Sequence, residues 1–232
     1  MTELVNGVII ALTSLVNEVG GDAVNEKFYS LSKEKQSAII NSAMCVFSAG
    51  GYKKALTEEI AKEAGVSKGL LFHYFGSKQK LYLFLYDYCI RYIKERMDFE
   101  TGKAKPDYFD FLIETQLMKR EIMKQHPYIF CFASTVYYDD APEISRLVKS
   151  TNRELISSQI DFLLDYADCS HFKSGVDARK ITEIIIWTAE GMMKDIMSRP
   201  TVDIDKASDE YLEILRIFKN NFYREEYADG DN

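Results

Sequence analysis

Hydrophobic positions recur at helical spacing along almost all of this 232-residue chain. Val5, Val8, Leu12, Leu15 and Val19 fall three and four residues apart, and Gly20-Gly21 follows, which predicts an amphipathic helix at the start. Its short repeats and lack of a basic face favour docking on the protein's own body over a coiled coil or a membrane surface. A second helix runs from Lys33 through Ile40, Ala43, Met44 and Phe47 to Gly50-Gly51, a pair suited to a left-handed cap. Ser77-Lys78 opens a longer helix carrying Leu81, Phe84, Leu85, Tyr88 and Tyr92, which Gly102 to Pro106 break. Further helices are expected near 107–126, 128–138, 142–166, 177–198 and 206–224, with Pro127, Pro142 and Pro200 at or beside the junctions. The expected fold class is all-α.

Between the second helix and the longer one lies T-E-E-I-A-K-E-A-G-V-S-K-G-L-L-F-H-Y-F, from Thr57 to Phe75. Thr57 reads as an N-cap, with Glu58 and Glu59 in a first turn where the helix dipole favours acid. Ile60 and Ala64 make a narrow apolar face, and Ala61 is small enough for a second helix to cross closely. Gly65 permits the positive φ of a tight turn, Val66 plugs the angle and Ser67 caps the next helix. The result is a helix-turn-helix.

On its second helix Leu71 and Phe75 point inward, which leaves Lys68, Gly69, Leu70, Phe72, His73 and Tyr74 toward solvent or a DNA groove. Lys68 suits guanine O6 and N7, Leu70 a thymine methyl, and Gly69 close approach to base edges. His73, Tyr74, the Ser77 cap and Lys78 suit phosphate contacts. Ala-Gly-Val alone reads equally well as a packing turn of any all-α protein; Thr57, Ser67, Tyr74, Lys78 and the local charge tip the balance. Lys53 and Lys54 read equally as phosphate contacts or as a solvated face.

Net charge is −7, which by itself argues against a nucleic-acid partner, but its distribution reverses that reading. From Ser32 to Lys80 there are eight lysines against four glutamates, a local excess of +4 that leaves −11 for the rest. A basic segment on an acidic body suits a protein that meets phosphate with one end. Cys45, Cys89, Cys131 and Cys169 stand far apart, with neither a zinc nor a redox spacing, and read as buried thiols of a reducing, cytoplasmic compartment. The apolar run from Val8 to Val16 is too short to span a bilayer and lacks a basic flank. No nucleophile-base pair, phosphate loop, cofactor motif or metal constellation is apparent, so an enzyme is not expected.

The run from Lys33 to Leu85 resembles the DNA-binding domain of the TetR family of bacterial one-component regulators. The resemblance rests on Gly51-Tyr52, Thr57, Ile60-Ala61, Ala64-Gly65-Val66-Ser67, Gly69, Leu71-Phe72, Tyr74-Phe75 and Ser77-Lys78. Phe72 stands where the family usually has Tyr, which moves that phosphate contact to Tyr74 or His73, and Leu70 stands where Thr is common. The leading helix has no counterpart in the pattern.

Three segments are expected: an extension over 1–30 read from its own hydrophobic spacing and, as the resemblance implies, a DNA-binding domain over 31–78 and a ligand-binding and dimerisation domain over 79–232. It further implies a repressor that a small molecule releases from a palindromic operator, although an activator or a scaffold without DNA binding fits the same domain. Both the 177–198 and 206–224 helices carry apolar residues on two faces, one for a core and one for a second copy. Phe109, Met118, Met123, Tyr128, Phe132, Tyr137, Phe162 and Trp187 are candidates to line a cavity for a hydrophobic or aromatic effector.

Overall fold

A computed structural model describes residues 26–97, 104–144, 160–198 and 202–228. The helix expected over residues 4–19 and most of the one expected over 142–166 lie outside these residues. Among those described, the secondary structure is helical, with only two isolated bridges, Asp107 with Asp168 and Phe172 with Tyr223. The helices are α1 (Glu26–Tyr29), α2 (Lys33–Lys54), α3 (Thr57–Glu63), α4 (Lys68–Phe75), α5 (Lys78–Arg96), α6 (Tyr108–Gln125), α7 (Ile129–Tyr138), α8 (Ala178–Ser198) and α9 (Ile204–Phe222), and residues 160–166 are also helical.

Two compact units divide the chain, one of residues 1–98 with 125–153 and one of residues 99–124 with 154–232. This partition cuts the chain differently from the expected segments 31–78 and 79–232, because α5 and α7 pack against α2 and so join its unit. In the first unit the buried core is made of Ile39, Ala43, Met44 and Phe47 of α2, Ile60 of α3, Leu71 and Phe75 of α4, Leu81 and Leu85 of α5, and Ile129 and Phe132 of α7. Each such Ile, Leu, Met or Phe side chain contributes about 1.5–3 kcal/mol by leaving water. Tyr82 lies edge-on to Phe47 and Phe132, with ring centroids 4.8 and 5.1 Å apart.

The glycine pair ends the regular part of α2. Gly51 takes φ 64 and ψ −178, and Ala55 N–H still donates to its carbonyl, so the chain kinks before a last turn. That kink aims Tyr52 N–H at Asp139, just beyond α7, which accepts at 2.7 Å. The same buried carboxylate accepts from Tyr82 Oη at 3.0 Å and from Ala141 N–H at 3.0 Å. A charged acceptor with three donors compensates the cost of its burial.

His126 makes a second buried junction. Asn41 Nδ2 donates to Gln125 O, which orients the amide so that its Oδ1 accepts from His126 Nδ1 at 2.7 Å. The other ring nitrogen, Nε2, then accepts from Tyr88 Oη, also at 2.7 Å. Burial, with a smaller contribution from the nearby Arg96 charge, pushes the His126 pKa down to about 4.

The core of the second unit gathers Tyr108 and Phe109 of α6, Phe172, Ile181 and Ile185 of α8, Leu215 of α9, and Tyr223. Tyr223 Oη donates to Asp107 Oδ2 at 2.9 Å and accepts from Phe109 N–H at 3.3 Å, while His171 Nδ1 lies 2.8 Å from the same carboxylate oxygen. Gln116 reaches Ser208 at 3.2 Å, which ties α6 to α9 within the core.

Because His126 stays neutral in the folded chain down to about pH 4, while an unfolded histidine takes up its proton near pH ~6.5, stability falls as pH drops across that window. Denaturant unfolding between pH 4 and 7 should show this slope reduced in His126→Gln. A slope that the substitution leaves unchanged contradicts a buried neutral imidazole.

Candidate nucleic-acid interface

Two backbone hydrogen bonds close the turn between α3 and α4. Gly65 takes φ 63; its N–H donates to Lys62 O at 3.2 Å, and Val66 N–H reaches back to Ala61 O at 2.9 Å. This pair of bonds satisfies carbonyls that the end of α3 leaves open, and it sets the exit angle of the chain. Lys35 Nζ adds a bond to Gly65 O at 3.4 Å. Ser67 then caps α4, its Oγ accepting from Leu70 N–H at 3.1 Å, and Ser77 caps α5 in the same way through Lys80 N–H at 3.1 Å.

Two expectations for this segment are corrected. Leu56, not Thr57, occupies the N-cap of α3 and makes no side-chain cap bond. Thr57 is the first helical residue, buried, with Oγ1 donating to Glu58 Oε2 at 3.3 Å. Tyr74, expected on the outward face for phosphate, is 6% exposed and lies beside Phe28 and Phe75. The physical reason is α1. Phe28 is fully buried, its ring 4.9 Å from Phe75, 5.6 Å from Phe84 and 6.0 Å from Tyr74. Gln36 holds that turn in place by donating to Tyr29 O and Leu31 O at 3.2 and 2.8 Å. The back of α4 is therefore closed by an element that the helical pattern did not connect with it.

What α4 leaves in water is Lys68, Gly69, Leu70 and His73, with Phe72 half-buried beside them. Lys68 forms an ion pair with Glu58 of α3 and stands 5.7 Å above the Phe72 ring. The hydrogen bond from Lys68 holds the Glu58 carboxyl below its ordinary range. Lys78 bonds Lys53 O at 3.3 Å and lies 4.8 Å from the Tyr52 ring centroid. Burial pushes its ammonium pKa down against the opposing charges of Glu143 and Asp139. Lys53, for its part, pairs with Asp140 at 3.2 Å. Leu56, 52% exposed beside this face, and Glu58 are neighbours that the motif did not single out as contacts.

The residues proposed for an effector cavity fall in both units. Phe132 and Phe109 are fully buried and fill the cores of the first and second units. Tyr128 is half-buried at the start of α7, beside Cys45. In the second unit Met118 and Met123 are half-buried on α6, Phe162 stacks on Tyr166 at 5.4 Å, and Trp187 is 60% exposed on α8. Tyr137 lies on α7. Among the described residues no group of three or more His, Cys, Asp or Glu is arranged to hold a metal ion, and no helix is long and apolar enough to cross a membrane.

Comparison with known proteins places the geometry. The sequence model of bacterial regulatory proteins of the tetR family matches residues 39–84, from α2 through the start of α5. The uncharacterized HTH-type transcriptional regulator YuxN of Bacillus subtilis (strain 168) is 43% identical over 56 residues, a match that spans 24% of this chain and 19% of that relative's length. Among solved structures, a TetR family transcriptional regulator from Chloroflexus aurantiacus J-10-FL superposes with a TM-score of 0.55 at 17% identity, covering 86% of this chain and 98% of the other. The fatty acid degradation regulator FadR from Bacillus halodurans superposes with a TM-score of 0.50 at 17% identity, covering 77% and 96%. At these identities the superpositions speak for the fold, and the sequence matches speak for the helix-turn-helix segment alone. Residues 39–84 therefore carry the helix-turn-helix of bacterial regulatory proteins of the tetR family.

Proposed function

We propose that the chain is a homodimeric, sequence-specific DNA-binding transcriptional regulator, a repressor released from its operator by a small hydrophobic effector. The observation that carries this is the outer face of α4: Lys68, Gly69, Leu70 and His73 stand in water on a helix whose other side is locked by Leu71, Tyr74 and Phe75. A short helix braced from behind, with a glycine and a lysine in its first turn, suits insertion into a major groove. The capped N-terminus of α5, with Ser77 and Lys78, suits an adjacent phosphate.

One such helix reads too few base pairs for a genomic address, so the proposal requires two copies about 34–36 Å apart on a palindrome. Helices α8 and α9 offer the surface for pairing. Ile181, Ile185, Leu212 and Leu215 face the core, whereas Trp187 and Ile217 are 60% and 53% exposed. For the effector, the half-buried Met118, Met123 and Phe162 remain the proposed lining, with the ligand acting only as far as it prefers the released state.

Mobility shift on DNA upstream of the chain's own gene, run across a salt series, tests DNA binding. Affinity should fall steeply with salt; retention that does not depend on salt contradicts phosphate contacts. Gly69→Ala separates reading from folding. A Cβ at Gly69 meets only Ser67 Oγ, at 4.0 Å, so the free chain should gain stability, by up to ~1 kcal/mol. Operator affinity should nevertheless drop because the methyl stands between helix and bases; undiminished affinity removes α4 as the reader. Lys68→Ala should cost about 1–3 kcal/mol at one base pair, and equal weakening on every sequence makes Lys68 a phosphate contact instead. Trp187→Glu should yield monomers in sedimentation, and a dimer that persists contradicts the α8–α9 interface.

A further inference from the structure

The Glu58–Lys68 pair is not explained by stability. Its side chains are 60% and 49% exposed, a setting in which ion pairs contribute about 0–1 kcal/mol. It is nevertheless held with care. One carboxylate oxygen, Oε1, accepts from Lys68 Nζ at 2.5 Å, and the other, Oε2, accepts from the buried Thr57 hydroxyl at 3.3 Å. The lysine is further steadied over the Phe72 ring. A hydrogen-bond donor and an acceptor thus stand side by side at the exposed junction of the two helices. Near phosphates a carboxylate is repelled, and that cost is compensated only where a base donor meets it.

We propose that Glu58 is a specificity residue and that Glu58 and Lys68 read one G·C base pair as a unit, the carboxylate accepting from the cytosine 4-amino group while the ammonium donates to guanine O6. This rests on the DNA-binding function proposed above. In the major groove guanine O6 and cytosine N4 are joined by the base pair's own hydrogen bond, about 2.9 Å apart. The ion pair presents the complementary order, an acceptor beside a donor at hydrogen-bond distance. An A·T pair also offers a donor beside an acceptor, but it sets the thymine methyl next to the ammonium. Guanine instead supplies N7 as a second acceptor there.

The test uses the full chain. Duplexes bound by the wild type are selected from random DNA, and affinities are measured for the selected duplex and for every single base-pair replacement in its half-site. Glu58→Gln should keep the wild-type thermal unfolding midpoint, because the side chain is exposed. At one G·C position it should lose about tenfold in preference, with the profile elsewhere unchanged and non-specific affinity equal or higher. The double variant Glu58→Gln/Lys68→Gln should lose no more preference there than Lys68→Gln alone, as befits a single reading unit. An unchanged profile in Glu58→Gln, a uniform loss on all sequences, or selection of A·T at the affected position overturns the proposal while leaving DNA binding in place. Failure of the wild type to enrich any duplex overturns both.

Discussion

Gly65 sits in the left-handed region at φ 63, and through it two carbonyls at the end of α3 are paired with the N–H groups of Gly65 and Val66. Nothing lies within 4 Å of where its Cβ would be, so the requirement for glycine is conformational and not steric. Everything displayed by α4 follows from this turn. It delivers Ser67 to the cap position, aims Leu71 and Phe75 into the core, and thereby leaves Lys68, Gly69 and Leu70 outside. It also brings the first turn of α4 against the first turn of α3, which is how Lys68 reaches Glu58.

Two further contacts keep that angle from relaxing. Phe28, at the start of the described chain, fills the aromatic niche formed by Tyr74, Phe75 and Phe84. Asp139 joins the kink after Gly51 to Tyr82 of α5 and to the turn beyond α7. Both are buried, so a shift of α4 or α5 relative to α2 leaves either a cavity or an unsatisfied carboxylate. Interiors tolerate neither cheaply. Among the described residues the unit thus behaves as one braced body, in which Lys78 at the start of α5 also bonds the Lys53 carbonyl at the end of α2.

The sequence made the helices and the helix-turn-helix legible because both rest on local chemistry: apolar spacing, paired glycines, serine caps and Ala-Gly-Val. The helices expected near 107–126 and 206–224 end within a few residues of α6 and α9 for that reason. The corrections concern contacts made across the sequence. Tyr74 falls at an outward position of an isolated α4, and only the arrival of Phe28 from 46 residues upstream makes it core. Thr57 looks like a cap by residue type, yet the chain reaches α3 one residue earlier, at Leu56. Glu58 reads from the sequence only as a first-turn acid, because a pair across a turn has no helical spacing to mark it. Aromatic residues, likewise, do not announce whether they fill a core or line a cavity: Phe109 and Phe132 are fully buried in cores, while Trp187 stands in water.

The proposed function requires two copies of α4 to enter successive major grooves of one DNA duplex. Methylation protection at guanine N7, an atom that lies in the major groove, tests it most directly on a bound operator. Two protected patches are expected on one face of the duplex, centred about 34–36 Å apart and related by two-fold symmetry. Protection in a single patch, or binding that leaves every guanine N7 reactive, contradicts it.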